Sequence, residues 1–146
     1  MVCKCNYINV KKLSYFKTGS IACMLLGVMH LFVSLSPNDG VGENVLLTYA
    51  KMKETIFDFM GQHDLMQFYT GFSITMGFLL FAFGMQAFVN NKPTKPIIIV
   101  NMLVSLIASI LAIIYFHPLA YSFLLFSTLC YVISFINIKQ KHEESR

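Results

Sequence analysis

Four long runs that lack Asp, Glu, Lys and Arg constrain this sequence more than any other feature. They cover residues 18–35, 65–89, 97–116 and 119–138. A bilayer core about 30 Å thick is crossed by a helix of ~20 residues, with a range of ~17–25. Lipid offers the backbone no hydrogen-bonding partner, so each run is expected to be helical, and none alternates as a barrel strand does. The sequence therefore predicts an all-α integral membrane protein with four spans in a single domain.

The composition agrees with this prediction and excludes several other classes. Of the 146 residues, 56% are hydrophobic and 12% are charged, whereas a soluble domain is about half apolar and a quarter charged. A soluble domain, a disordered chain and a disulfide scaffold are therefore excluded. The first run is expected to be a retained span, because it is longer than the apolar core of a signal peptide and Pro37 follows it closely.

The connections between the runs predict how the helices are arranged. Pro93 and Pro96 separate the second and third runs, and only His117 and Pro118 separate the third and fourth. Proline is favoured in the first turn of a helix, so Pro118 is expected to open the fourth span and to make the last two helices antiparallel neighbours. The predicted architecture is a four-helix bundle.

A fifth helix is predicted in the long connection between the first two spans. Its apolar side chains are spaced by four and three residues, which places them on one helix face. We expect an amphipathic helix over residues 44–60, either on the membrane surface or capping the bundle. The apolar positions are Val45, Tyr49, Met52, Ile56 and Phe59.

The charges divide unevenly between the two sides of the membrane that the spans define. Nine of the 11 Lys and Arg residues lie in the tails, residues 1–17 and 139–146, and in the connection between the second and third spans. The other two, Lys51 and Lys53, share the long connection with five of the seven acidic residues. The positive-inside rule places both termini in the cytoplasm and the long connection outside. No basic face suited to nucleic acid is present, so the expected partner is the lipid bilayer.

Each predicted span carries a stripe of small or polar residues. Such stripes let helices approach closely in lipid, so they are interpreted as packing surfaces, with a conduction path as the alternative. The residues singled out for helix packing are Gly19, Cys23 and Gly27 in the first span, Gly77 and Gly84 in the second, and Ser105 in the third.

Histidines provide the candidate site. His30 is the ionisable residue within a span, five residues before its outer end, or ~8 Å below the outer surface. His63, next to Asp64, and His117 are expected at the same outer end. Together His30, His63, His117 and Asp64 would suit zinc or another divalent metal, and His30 with His117 would suit haem. The plain alternative is a hydrogen bond from His30 to a Ser, Thr or Gln of another helix.

Three short features carry a resemblance to a known family. They are Gly27-Val28-Met29-His30 in the first span, the glycine-rich second span, and Phe116-His117-Pro118 at the last turn. Over residues 15–138 the chain resembles small, four-helix, DoxX-like proteins of the bacterial inner membrane. The resemblance implies a location in the bacterial inner membrane and an association with redox systems. It transfers no catalytic residue to this chain.

The function expected from the sequence is that of a non-enzymatic accessory or interaction module, acting as a homo-oligomer or in a larger membrane complex. The sequence contains no nucleophile elbow, phosphate-binding loop or zinc-protease motif, and the spans lack the carboxylate or cation usual in proton-coupled transport. Two alternatives stay open. One is a histidine-based metal- or haem-binding, redox-associated protein, and the other is an oligomeric channel or small-solute carrier.

Overall fold

A computed structural model describes the backbone of residues 4–36, 42–58 and 61–144, and the side chains of residues 15–36, 42–58 and 61–137. Most of the described chain is helical, and a short antiparallel hairpin is the exception. In chain order the elements are α1 (Lys4–Leu35), α2 (Glu43–Glu54), β1 (Ile56–Asp58), β2 (Gln62–Asp64), α3 (Leu65–Val89), α4 (Lys95–Tyr115) and α5 (Pro118–Glu144).

Four of the helices are long and apolar enough to cross a membrane, which confirms the number of long apolar helices predicted from the sequence. They are Tyr15–Leu35, Leu65–Val89, Lys95–Tyr115 and Pro118–Asn137. Pro118 is the first residue of α5, and Pro96 lies in the first turn of α4. Both positions suit proline, because the N–H groups of a first turn have no partner within the helix. Helix α1 begins at Lys4 and α5 ends at Glu144, so much of the predicted tails is helical.

The connection between α1 and α3 differs from the prediction. Its helix, α2, ends at Glu54, where the Thr55 N–H donates to Lys51 O at 3.1 Å. Residues 56–58 then form β1, so the predicted helix over 44–60 is wrong beyond Glu54; Phe59 lies outside the described residues. β-branched and aromatic residues favour an extended backbone, which fits Thr55, Ile56 and Phe57.

The hairpin pairs β1 with β2 in antiparallel register, from Ile56 opposite Asp64 to Asp58 opposite Gln62. Gly61 precedes β2 with a φ of 129°. This backbone conformation is open to glycine and strained for other residues, so it marks the point where the chain turns back.

The chain divides into two compact units, each considered by itself. The helical unit comprises Met1–Leu26 and Leu80–Arg146, and the hairpin unit comprises Gly27–Leu79. In the helical unit, one buried cluster contains Phe16, Tyr131, Ala87 and Ile98. The centroids of the Phe16 and Tyr131 rings lie 5.3 Å apart. A second buried cluster contains Cys23, Leu26, Ala112 and Leu124.

The hairpin unit contains the end of α1, α2, the two strands and the beginning of α3. Leu31 packs on Gly77, where an added Cβ would lie 2.8 Å from Leu31 Cγ. The Phe57 ring of β1 contacts the Phe68 ring of α3 edge to face, with centroids 5.7 Å apart. The hairpin is thereby attached to the first turns of α3.

Candidate functional site

A chain of hydrogen bonds around His30 connects the end of α1 to the beginning of α3. His30 Nε2 lies 3.1 Å from Ser73 Oγ, and Ser73 Oγ lies 2.7 Å from Ser34 Oγ. Ser34 Oγ also donates to the carbonyl oxygen of His30 at 2.8 Å. All three side chains are half-buried. The hydrogen bond from His30 to a serine is the plain alternative to metal binding that the sequence left open.

The donors in this chain of hydrogen bonds can be assigned because each hydroxyl has one proton. Ser34 gives its proton to the His30 carbonyl, so Ser73 donates to Ser34. Ser73 then has no proton left for the ring, so His30 donates from Nε2 to Ser73. With this order of donors, His30 does not act as a base toward Ser73.

Asp64 has a local role at the beginning of α3. Its Oδ1 accepts the N–H of Gln67 at 2.7 Å. This is the geometry of a helix N-cap, in which a carboxylate satisfies one of the N–H groups that have no partner in the first turn. The sequence analysis missed this role, although an Asp followed three residues later by Gln is a known signal for a helix start.

The other two predicted histidines are exposed. His63 lies in β2 opposite Phe57, within the hairpin unit. His117 belongs to the helical unit, where its carbonyl accepts the Ala120 N–H in the first turn of α5 at 3.1 Å.

Among the described residues, no three or more His, Cys, Asp or Glu side chains form a group that could hold a metal ion. The metal site at His30, His63, His117 and Asp64 and the haem site at His30 and His117 stay predictions. Metal analysis and a visible absorption spectrum of purified wild type and His30→Ala would test both.

The packing residues of the helical unit lie where helices approach most closely. A Cβ added at Gly84 would lie 2.6 Å from Ser20 O and 2.7 Å from Met24 N, which real structures do not allow. At Gly19 it would lie 3.0 Å from Cys130 Cβ and 3.1 Å from Ser127 O. These glycines bring α3 and α5 against the backbone of α1.

Hydroxyl and thiol groups line the contact between α1 and α5. Ser127 Oγ donates to Gly19 O at 2.9 Å and lies 3.1 Å from Cys23 Sγ. Ser20 Oγ donates to Phe16 O at 2.8 Å and lies 3.3 Å from the Tyr131 hydroxyl. Because both serine protons go to backbone carbonyls, Cys23 and Tyr131 are the donors to the two serines.

A similar set of hydroxyls joins α4 to α5. Thr128 Oγ1 lies 3.0 Å from Ser105 Oγ and 3.3 Å from Ser109 Oγ, and it also bonds to Leu124 O. Ser109 bonds to Ser105 O at 2.7 Å. Among the side chains that the structure describes, Ser134 Oγ is the buried polar group without a hydrogen-bond partner. The residues singled out from the sequence for helix packing included Ser105 but not Ser109 or Thr128.

Two lysines of the helical unit contact residues in or beside the connection between α3 and α4 or on α5. Lys17 Nζ donates to Asn91 Oδ1 at 2.8 Å, in the connection between α3 and α4, and lies 5.1 Å from the centre of the Phe88 ring. Lys95, the first residue of α4, lies 5.8 Å from the centre of the Phe135 ring. Lys17 thus links α1 to the connection between α3 and α4, and Lys95 links the start of α4 to α5.

In comparisons with known proteins, no family model, no curated protein and no solved structure matches this chain.

Proposed function

We propose that this protein is a non-enzymatic interaction module built on a four-helix bundle in the bacterial inner membrane, where it works as an accessory subunit of a larger assembly. The observation that carries the proposal is that polar side chains within the spans form hydrogen bonds between helices. Ser127 of α5 donates to Gly19 O of α1 and bonds to Cys23 of the same helix, and Ser73 of α3 bonds to Ser34 of α1. Polar groups engaged in this way hold helices together in lipid.

The chain of hydrogen bonds at His30 supports the same interpretation. An activated serine needs a histidine that takes its proton, whereas the Ser73 proton goes to Ser34 and His30 is the donor. The side chains of His30, Ser34 and Ser73 thus connect α1 to α3. The resemblance to DoxX-like proteins remains an expectation from the sequence alone.

The proposed orientation has both termini in the cytoplasm. Lys17, which bonds to Asn91 in the connection between α3 and α4, and Lys95 at the start of α4 support it, since Lys and Arg accumulate on the cytoplasmic side of membrane proteins. Alkaline phosphatase inserted at Gly42 in a bacterial host is expected to be active, and the same insertion at Lys92 to be inactive. The reverse result would overturn the orientation.

The interaction function is tested by the mass of the protein in its own lipid. Membranes of the native type of host would be dissolved into copolymer nanodiscs without detergent, and the discs containing the tagged chain would be analysed by native mass spectrometry. We expect the protein mass in each disc to exceed the mass of one chain. Reconstitution of the purified chain by itself serves as the control, because it separates self-association from a complex with another subunit. Single chains without any companion protein would contradict the proposal.

A further inference from the structure

The helical unit carries positive charge that its own sequence does not balance. Residues 15–26 and 80–137 contain three lysines, Lys17, Lys92 and Lys95, and no Asp or Glu. The two tails add six basic and two acidic residues. In a chain with four spans, both tails lie on the same side of the membrane as the connection between α3 and α4. This side is therefore strongly positive, which favours an anionic partner.

The three lysines of the helical unit belong to one short stretch of its surface. Lys17 Nζ donates to Asn91 Oδ1 at 2.8 Å, and Asn91 directly precedes Lys92 in the chain. Lys95 follows Asn91 by four residues, a length of chain that reaches about 14 Å at most. The Lys92 N–H also donates to Asn90 Oδ1 at 3.2 Å, which holds the backbone of Lys92 next to the end of α3.

Aromatic rings hold two of the ammonium groups beside the ends of spans. Lys17 Nζ lies 5.1 Å from the centre of the Phe88 ring, one residue before the end of α3. Lys95 Nζ lies 5.8 Å from the centre of the Phe135 ring, near the end of the span Pro118–Asn137. A cation within about 6 Å of a ring is attracted to its face. Because spans end at the level of the headgroups, both charges are placed where phospholipids carry theirs.

We propose that Lys17, Lys92 and Lys95 bind the headgroup of an anionic phospholipid. Lys92 and Lys95 are exposed, and the bond to Asn91 uses one of the three N–H donors of Lys17. Each lysine close to an anionic membrane surface strengthens binding about fivefold. The proposal rests on the membrane location of these helices. It depends neither on the interaction function nor on which side is cytoplasmic.

The lysines of α2 provide a matched control on the other side of the membrane. Lys92→Gln with Lys95→Gln removes two charges from the proposed site, and Lys51→Gln with Lys53→Gln removes two charges from α2. All four side chains are exposed, so neither pair of substitutions should disturb packing. Each full-length protein would be purified in mild detergent and mixed with equal amounts of phosphatidylglycerol and phosphatidylcholine that have the same acyl chains. Native mass spectrometry would measure the ratio of the two bound lipids.

We expect the wild type to bind several times more phosphatidylglycerol than phosphatidylcholine. This preference should fall several-fold in Lys92→Gln with Lys95→Gln and stay unchanged in the α2 variant. Arginine at both positions 92 and 95 keeps the charge and should keep the preference. Lys92→Gln alone, with a smaller expected fall, is a second variant in case the pair does not fold.

Equal binding of the two lipids by the wild type would overturn the proposal. So would equal falls in the two glutamine pairs, because net charge rather than this site would then attract the lipid. Loss of bound phosphatidylglycerol when inorganic phosphate replaces chloride at constant ionic strength would also overturn it, since the lysines would then recognise free phosphate. These samples contain no other protein, so the result is independent of the test for companion subunits.

Discussion

The helical unit and the hairpin unit use similar residues under different packing conditions. In the helical unit Ser20, Ser105 and Ser127 are fully buried, and Gly84 lies against the backbone of α1. In the hairpin unit Ser34 and Ser73 are half-buried. A Cβ added at Gly77 would lie 2.8 Å from the Leu31 side chain and 3.1 Å from its backbone N, whereas at Gly84 the nearest backbone atom lies 2.6 Å away. A side chain can move aside, whereas the backbone of a helix cannot. The difference indicates that the helical unit fixes its helices rigidly and that the hairpin unit can adjust.

The three glycines of α3 offer the largest test of this comparison. Gly84→Ala is expected to destabilise the protein by about 1–3 kcal/mol through overpacking, because the added carbon would lie 2.6 Å from Ser20 O. Gly77→Ala should cost less, since Leu31 can shift. Gly71→Ala should cost nothing, because no described atom lies within 4 Å of the added carbon and alanine favours a helix by up to about 1 kcal/mol.

Unfolding in mixed micelles of mild detergent and dodecyl sulfate would give the free energies for the three variants. The expected order of stability is Gly71→Ala, then Gly77→Ala, then Gly84→Ala. Equal values for Gly84→Ala and Gly71→Ala would show that α1 and α3 do not approach closely in the helical unit.

The four long helices could be predicted from the sequence because lipid imposes one strong rule. About 20 residues without a charge must form a helix to satisfy the backbone, and the observed spans follow the predicted runs closely. The beginning of α5 was also predictable, since Pro118 fixes it. No such rule applies to the connection between the first two apolar runs. There the spacing of Val45, Tyr49, Met52 and Ile56 fitted a helix, but the chain leaves the helix at Glu54 and forms β1.

The candidate site could be predicted less well, because it depends on contacts between helices. His30 stood out as an ionisable residue in a span, and its bond to a serine was one of the open alternatives. The choice of Ser73 depends on how α1 and α3 align, which the sequence does not encode locally. Asp64 shows the opposite case, because its role as the N-cap of α3 is local.

The buried hydroxyls give a second, smaller test of the comparison. Ser127→Ala removes the bond to Gly19 O and leaves the Cys23 thiol without its acceptor. Hydrogen bonds between helices in membranes average about 0.6 kcal/mol, with a maximum near 1.7, and we expect a loss of about 1 kcal/mol. Ser73→Ala should cost less, because its half-buried partners can reach water.

Ser122→Ala is the control for both variants, since this exposed serine bonds to Pro118 O in its own helix. The same unfolding titration in mixed micelles would measure all three. A larger loss for Ser73→Ala than for Ser127→Ala would reverse the assignment of the rigid and adjustable units.

The smallest expected effect is a shift of the His30 ring proton from one ring nitrogen to the other. In the wild type, Ser34 donates to the His30 carbonyl, so the order of donors places the ring proton of neutral His30 on Nε2. Ser34→Ala removes the acceptor of the Ser73 hydroxyl. The Ser73 proton can then turn toward Nε2, and part of the population should shift to the tautomer protonated on Nδ1, with little change in stability. Nitrogen-15 NMR of labelled histidine would detect the shift.

Ser36→Ala is the control, because Ser36 bonds to Phe32 O on the same helix and lies outside the chain of hydrogen bonds. A ring proton that stays on Nε2 in Ser34→Ala would mean that Ser34 does not set the direction of the protons.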